Sequence, residues 1–168
     1  SCSIYGNVKG SVNEKKKPNP QGYYGYTKYK GEELVKKLSL KFKVKYGILR
    51  YFNVAGASYS GKIGEIETSH GHLIKNLAIE SLKNKPIMNI YGNNYKTKDG
   101  TCIRDYIHVS DLADIHLISA KYLVSGGNSN LFNCGYGNGY SVKEIIKNLN
   151  HILKKDIKTI IGPRRPGD

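Results

Sequence analysis

Apolar positions recur along this chain at two periods, and segments of each kind alternate. Residues 24–42 place Leu34, Val35, Leu38 and Phe42 at helical spacing, so a helix is expected there. Gly31 inside it costs about 1 kcal/mol relative to alanine. Residues 46–52 are short and mostly apolar, as in a strand buried on both faces of a parallel sheet. Further strands are expected at 87–91, 106–109, 131–134 and 157–161, and further helices at 73–82, 110–123 and 141–153. Ser110 or Asp111 can cap the second of these helices, and Ser141 with Glu144 three residues on forms a capping-box pattern for the third. Residues 1–6 read as a strand end running into a loop. Polar or glycine-rich loops fill 7–22, 54–69, 93–101 and 162–168, and the one at 54–69 is long enough to suggest a function. Strands alternating with helices argue for an α/β protein.

Composition narrows the class. Hydrophobic residues make up 39% of 168, which is globular rather than disordered. No apolar run approaches the roughly 20 residues of a membrane span, and neither a signal peptide nor a membrane partner is expected. Cys2, Cys102 and Cys134 lie far apart without a CxxC pair, which fits free thiols in a reducing cytoplasm. The chain does not start with methionine and is expected to be a piece of a longer protein. Net charge is +14, which raises a nucleic-acid partner. Only four of the 27 basic residues are arginine, however, and the lysines scatter over solvent-facing positions. Arginine is the preferred bidentate phosphate reader, so no nucleic acid is expected, and the excess charge reads as compositional drift.

Two short patterns carry chemistry. Tyr24 and Lys28 are four residues apart and share a helix face. A phenol is a poor base at neutral pH, and a nearby ammonium favours the phenolate. Among 14 tyrosines such a pair arises easily by chance, as Tyr26 and Lys30 show, so its neighbours must decide its meaning. Gly135-Tyr136-Gly137-Asn138-Gly139-Tyr140 comes close to a dinucleotide fingerprint but lacks the last glycine and a suitably placed acid downstream. It reads as an ordinary strand-to-helix turn.

Five segments together resemble the extended short-chain dehydrogenase/reductases, and within them the UDP-glucose 4-epimerases. They are Ser1-Cys2-Ser3-Ile4-Tyr5-Gly6, Tyr24-Gly25-Tyr26-Thr27-Lys28, the run from Leu49 to Ala57, the run from Asp99 to Leu112, and Arg164-Arg165-Pro166-Gly167-Asp168. The resemblance implies a partial Rossmann-like parallel sheet with a smaller mixed α/β substrate-binding domain. Residues 1–52 and 107–133 would belong to the dinucleotide-binding domain, and 53–106 and 134–168 to the substrate-binding region. It implies NAD as cofactor, a UDP-sugar as substrate, a homodimer in the complete enzyme and a cytoplasmic location.

The same resemblance implies roles. Tyr24 would be the acid/base. Lys28 would lower its pKa and bond the nicotinamide ribose, Ser1 would bond the reacting hydroxyl, and Phe52 would lie beside the nicotinamide. Asn53, His72, Leu73, Asn89, Tyr91, Arg104, Arg165 and Asp168 would bind the nucleotide-sugar, with Arg104 and Arg165 as forks on the diphosphate. His108 reads as a packed structural residue, and no metal site is suggested. The glycine turn that receives the NAD pyrophosphate in the family is not found before Ser1, so the chain is expected to be the C-terminal half or more of an epimerase, inactive alone. Other nucleotide-sugar enzymes of the superfamily (decarboxylases, dehydratases), a basic nucleic-acid-binding module and a non-catalytic remnant stay as alternatives.

Overall fold

The computed structural model describes residues 1–66 and 72–165. The chain opens with a 3-10 turn, Cys2–Tyr5, followed by a loop and helix α1, Gly22–Phe42. Strands β1, Gly47–Tyr51, and β2, Asn53–Ala55, follow, then helix α2, Leu73–Ser81, and strand β3, Ile87–Tyr91. Strand β4 is Ile103–His108 and helix α3 is Val109–Val124. Strands β5, Asn130–Cys134, and β6, Gly139–Ser141, precede helix α4, Val142–Leu153, and strand β7, Lys158–Gly162. β1 pairs with β5, β2 with β4 and β3 with β7, all parallel, while β6 lies antiparallel on β4. This is an α/β fold, as the alternation of periods implies.

Four local expectations need correction. Residues 1–6 are a turn, not a strand end: the Ser1 hydroxyl accepts the Ser3 N–H at 3.4 Å, and Gly6, at φ 66°, donates to the Ser3 carbonyl at 3.3 Å. Ile4 and Tyr5 are thereby buried. The long loop begins later than expected, because Asn53, Val54 and Ala55 form β2 alongside Tyr106, Ile107 and His108. Helix α3 is capped by His108, whose Nδ1 accepts the Ser110 N–H at 3.2 Å, and not by Ser110 or Asp111. The glycine segment 135–140 does not lead straight into a helix: its last two residues begin β6. The capping box of α4 is present, with the Ser141 hydroxyl accepting the Glu144 N–H at 3.1 Å and the Glu144 carboxylate accepting the Ser141 N–H at 2.8 Å.

Two apolar clusters organise the packing. Leu77, Met88, Ile90, Ile146 and Ile157 join α2, β3, α4 and the approach to β7. Ile107, Leu112 and Cys134 join β4, α3 and β5. Asp99 links the β3–β4 loop to α4: its carboxylate accepts the Thr101 N–H at 2.8 Å, the Thr101 hydroxyl at 2.7 Å and the Ser141 hydroxyl. Cys2, Cys102 and Cys134 are free thiols. Among the described residues no helix is long and apolar enough to cross a membrane.

Candidate functional site

A cavity of about 550 Å³ opens between β2, β3, β4 and the start of α2, within the size range of small-molecule sites. Asn53, His72, Leu73, Asn89, Tyr91, Arg104 and Arg165 all line it. Sequence separations of up to 112 residues, from Asn53 to Arg165, close here because parallel pairing sets β2 beside β4 and β3 beside β7. Asp168 lies outside the described residues.

Each side chain has a local reason for its place. The Asn53 amide donates to the Asp105 carbonyl at 3.0 Å, fixing the end of β2 on β4. His72 begins α2 without a side-chain cap bond, and its Nδ1 meets Glu65 Oε1 at 2.9 Å. On β3, Met88 and Ile90 turn into the core, so Asn89 and Tyr91 take the other face. The Arg165 guanidinium lies 5.0 Å from the centre of the Tyr91 ring. Its neighbour Arg164 is used differently: it stacks on Tyr95 at 4.0 Å and donates to Asn94 Oδ1 at 2.7 Å, bracing the β3–β4 loop. Arg164 therefore belongs to the scaffold and Arg165 to the cavity.

The remaining site candidates lie outside the cavity lining. Tyr24 and Lys28 share a face of α1, with the Lys28 ammonium 5.2 Å from the Tyr24 ring centre. Both are exposed. Ser1 lies at the foot of the helix, its hydroxyl 2.9 Å from that of Ser3 and its amino group 3.5 Å from the Leu49 carbonyl of β1. Burial pulls the pKa of that amino group down, Glu32 opposes the shift, and Lys28 is among the smaller charges felt there. Phe52 follows β1, and its N–H donates to the Cys134 carbonyl at 3.1 Å. Ser1, Tyr24, Lys28 and Phe52 do not line the cavity.

A buried ion pair aims this helix, and sequence reasoning missed it. Glu32 stands one turn beyond Lys28 on the same face, at i+4, and is 7% exposed. Arg50 of β1 donates to both its oxygens, Nε at 2.9 Å and Nη2 at 2.6 Å. Arg50 also donates to the Tyr5 hydroxyl at 2.8 Å, and that hydroxyl donates to Asn133 Oδ1 of β5 at 2.6 Å. Burial works against the Arg50 charge, but the bonds to Glu32 and Tyr5 outweigh it and hold the guanidinium pKa above its usual value. The fork fixes α1 in rotation against the β1–β5 pair. Gly25 allows close approach at the other end: a Cβ there would meet the Ser3 carbonyl at 2.7 Å. The signal in the sequence was Glu32 extending the 24, 28 series by one more turn.

Other lining residues were also missed. Cys102, Arg104 and Tyr106 alternate along one side of β4 and its lead-in, and all three reach the cavity. The strand period of two would have found them from Arg104. Burial pushes the Tyr106 phenol up to about 12, so it stays protonated and able to donate across the physiological range. The glycine turn after β5 is spent internally. The N–H groups of Tyr136 and Gly137 donate to the Asp105 carboxylate at 3.3 and 2.8 Å, and a Cβ on Gly135 would lie 2.6 Å from that carboxylate. The donors that a pyrophosphate would need are thus already satisfied, so this turn is not a dinucleotide cradle. His108 stacks on Tyr59 at 5.2 Å and caps α3, which is a structural use. Among the described residues no cluster suited to a metal ion occurs.

Parallel strands flanked by helices, with arginine side chains at one cavity, define an α/β protein with a small-molecule-sized site. The chain belongs to the NAD dependent epimerase/dehydratase family, whose model matches residues 1–135. It is 40% identical over 169 residues to a UDP-glucose 4-epimerase of Azospirillum brasilense, covering 100% of this chain and 49% of the relative. A Lactobacillus helveticus UDP-glucose 4-epimerase is 39% identical, with 100% and 51% covered. Among solved structures, the Brucella ovis UDP-glucose 4-epimerase in complex with NAD superposes with TM-score 0.90 at 34% identity, covering 99% of this chain and 52% of that one. The Bifidobacterium longum enzyme, solved with NAD+ and UDP, gives TM-score 0.90 at 33% identity, with 100% and 51% covered. The chain spans about half the length of the curated relatives it matches.

Proposed function

We propose that this chain is the acid/base and nucleotide-sugar-binding half of a UDP-glucose 4-epimerase. The observation that carries the reading is the cavity, where Arg104 and Arg165 meet Asn53, His72, Leu73, Asn89 and Tyr91. Two planar, permanently charged forks suit a diphosphate. In this reading residues 53–106 and 134–168 form the substrate-binding region, and 1–52 and 107–133 belong with the dinucleotide-binding domain; the pairing of β1 with β5 supports the second grouping.

Hydride transfer to and from sugar C4 is the chemistry that NAD supplies when bound. The chain's own residues move the proton. Tyr24 accepts it from the 4-hydroxyl and returns it, Lys28 stabilises the phenolate and holds the nicotinamide ribose, and Ser1 orients the reacting hydroxyl. Phe52 packs beside the nicotinamide. The cavity holds the UDP moiety while the keto-sugar presents its other face. The glycine turn at 135–139, committed to Asp105, leaves the pyrophosphate cradle to be supplied by another segment. Alone, the 168 residues are expected not to epimerise.

Calorimetry with UDP is the direct test. The chain should bind UDP, and Arg104→Ala or Arg165→Ala should weaken it by roughly 10- to 150-fold, the worth of a charged hydrogen bond. Unchanged affinity in both variants would sink the diphosphate assignment. Joined to the remaining half of a relative, the chain should interconvert UDP-glucose and UDP-galactose, and Tyr24→Phe should lower kcat by on the order of 10²–10⁴.

A further inference from the structure

Lys75 has an unusual setting. It is the third residue of α2, so its positive charge stands at the positive end of the helix dipole, where cations are disfavoured. Its side chain is only 12% exposed, although lysine is rarely buried without a partner. The pairing it has is incomplete as an ion pair. The ammonium donates to the Ile66 carbonyl at 2.6 Å and stands 3.7 Å from Glu65 Oε1, beyond hydrogen-bond distance. That same carboxylate oxygen is 2.9 Å from His72 Nδ1. Both Glu65 and Lys75 line the cavity. Among its described lining residues, three fixed cations, Lys75, Arg104 and Arg165, face one carboxylate, Glu65.

A lysine 12% exposed at the positive end of a helix, held there only by one carbonyl and a carboxylate 3.7 Å away, is a local conflict, and such conflicts mark functional positions. An anion seated in the cavity removes the conflict. It would meet the first-turn N–H groups of α2 and the Lys75 ammonium together, and a diphosphate is an anion of that kind.

We infer that Lys75 is a third cation for the diphosphate of the bound nucleotide, kept at the cavity wall by Glu65 until the ligand arrives. The inference rests on the UDP-sugar reading of the cavity. Lys75 touches ligand in this account, and Glu65 positions it while opposing the ligand's charge. The two residues therefore have opposite effects on affinity, which a purely structural strap between the loop and α2 would not give.

The test measures UDP binding to the 168-residue chain by calorimetry and uridine binding by NMR shifts taken to millimolar concentration. Lys75→Met should weaken UDP by about tenfold, the lower end for a charged hydrogen bond, and leave uridine unchanged. Lys75→Arg should keep most of the UDP affinity. Glu65→Gln should tighten UDP, because it frees the ammonium and removes a like charge from the site. Circular dichroism checks that each variant is folded. If Glu65→Gln weakens UDP as Lys75→Met does, or if Lys75→Met weakens uridine equally, the pair is a structural strap and the inference falls. If Arg104→Ala loses UDP while Lys75→Met does not, the UDP reading stands and Lys75 is excluded from it. A wild-type chain that does not bind UDP overturns both.

Discussion

Around the cavity, α2, β3, α4 and β7 enclose Leu77, Met88, Ile90, Ile146 and Ile157, and the walls stand on that apolar cluster. Helix α1 buries only Gly25 and Glu32, while Leu34, Leu38 and Phe42 stay 56%, 41% and 61% exposed. The region proposed to hold substrate is thus secured by non-directional burial within the chain. The region proposed to move protons is secured by directional bonds: the Arg50–Glu32 fork, the Tyr5 hydroxyl and the close seat of Gly25 on the 3-10 turn. Burial tolerates some repacking, whereas a fork sets one rotation of the helix. That suits an acid/base pair, whose geometry must be right to within a fraction of an ångström.

Breaking the fork should give the largest loss of stability. Arg50→Met leaves Glu32 buried without its partner, and losing one member of a buried pair costs about 3–5 kcal/mol. The urea midpoint of the chain should fall accordingly. Pairing it with Glu32→Leu should recover most of the stability, since apolar replacement of both members is often neutral. Arg50→Met unfolding at the wild-type urea concentration would show that α1 is held by something else.

Ile90→Ala probes the other region. Ile90 is 2% exposed within the cluster, and truncation there should cost about 2–5 kcal/mol and weaken UDP binding with it. The sharper form is a contrast with Leu38→Ala on α1, which in this chain should stay within about 0.5 kcal/mol. Equal costs at the two positions would erase the distinction between the regions.

The sequence was most legible where one period dominated. The helices at Gly22–Phe42 and Val142–Leu153 and the strands at Gly47–Tyr51 and Ile87–Tyr91 were visible from side-chain periodicity, with the Ser141–Glu144 capping box agreeing for the second helix. Strands β2 and β6 were not, because three residues each hold no period; their partner strand β4 creates them. His108 displaced Ser110 and Asp111 as a cap because its ring could reach the Ser110 N–H. The cavity-lining residues were found through resemblance, not spacing, since nothing local links Asn53 to Arg165. Glu32, Tyr106 and Lys75 escaped that route but sit at positions that helix and strand periods mark once a first residue is known. The apolar stripe of α1 shows the limit of periodicity: it marks a face to be covered but not what covers it.

Asp99 offers a smaller, pH-dependent test of the well-packed region. Burial alone would raise its carboxyl pKa, but hydrogen bonds from Ser141 and Thr101 outweigh that and hold it below the usual value. A depressed folded-state pKa means that the group stabilises the fold above its unfolded pKa, about 3.9. That contribution is lost as pH falls through the lower folded value. Stability should therefore hold from neutrality to about pH 4 as far as this group is concerned, then decline on further acidification. Asp99→Asn removes the titration, so the acid limb of the stability curve should flatten. At neutral pH it should cost about 1 kcal/mol, the scale of one hydrogen bond, because the amide keeps one acceptor for Thr101 or Ser141. Because the Ser141 cap of α4 leans on this carboxylate, the loss should appear first as faster hydrogen exchange in the opening turn of α4, with α1 unaffected. Exchange rising equally in α1 would mean that the two regions unfold as one unit.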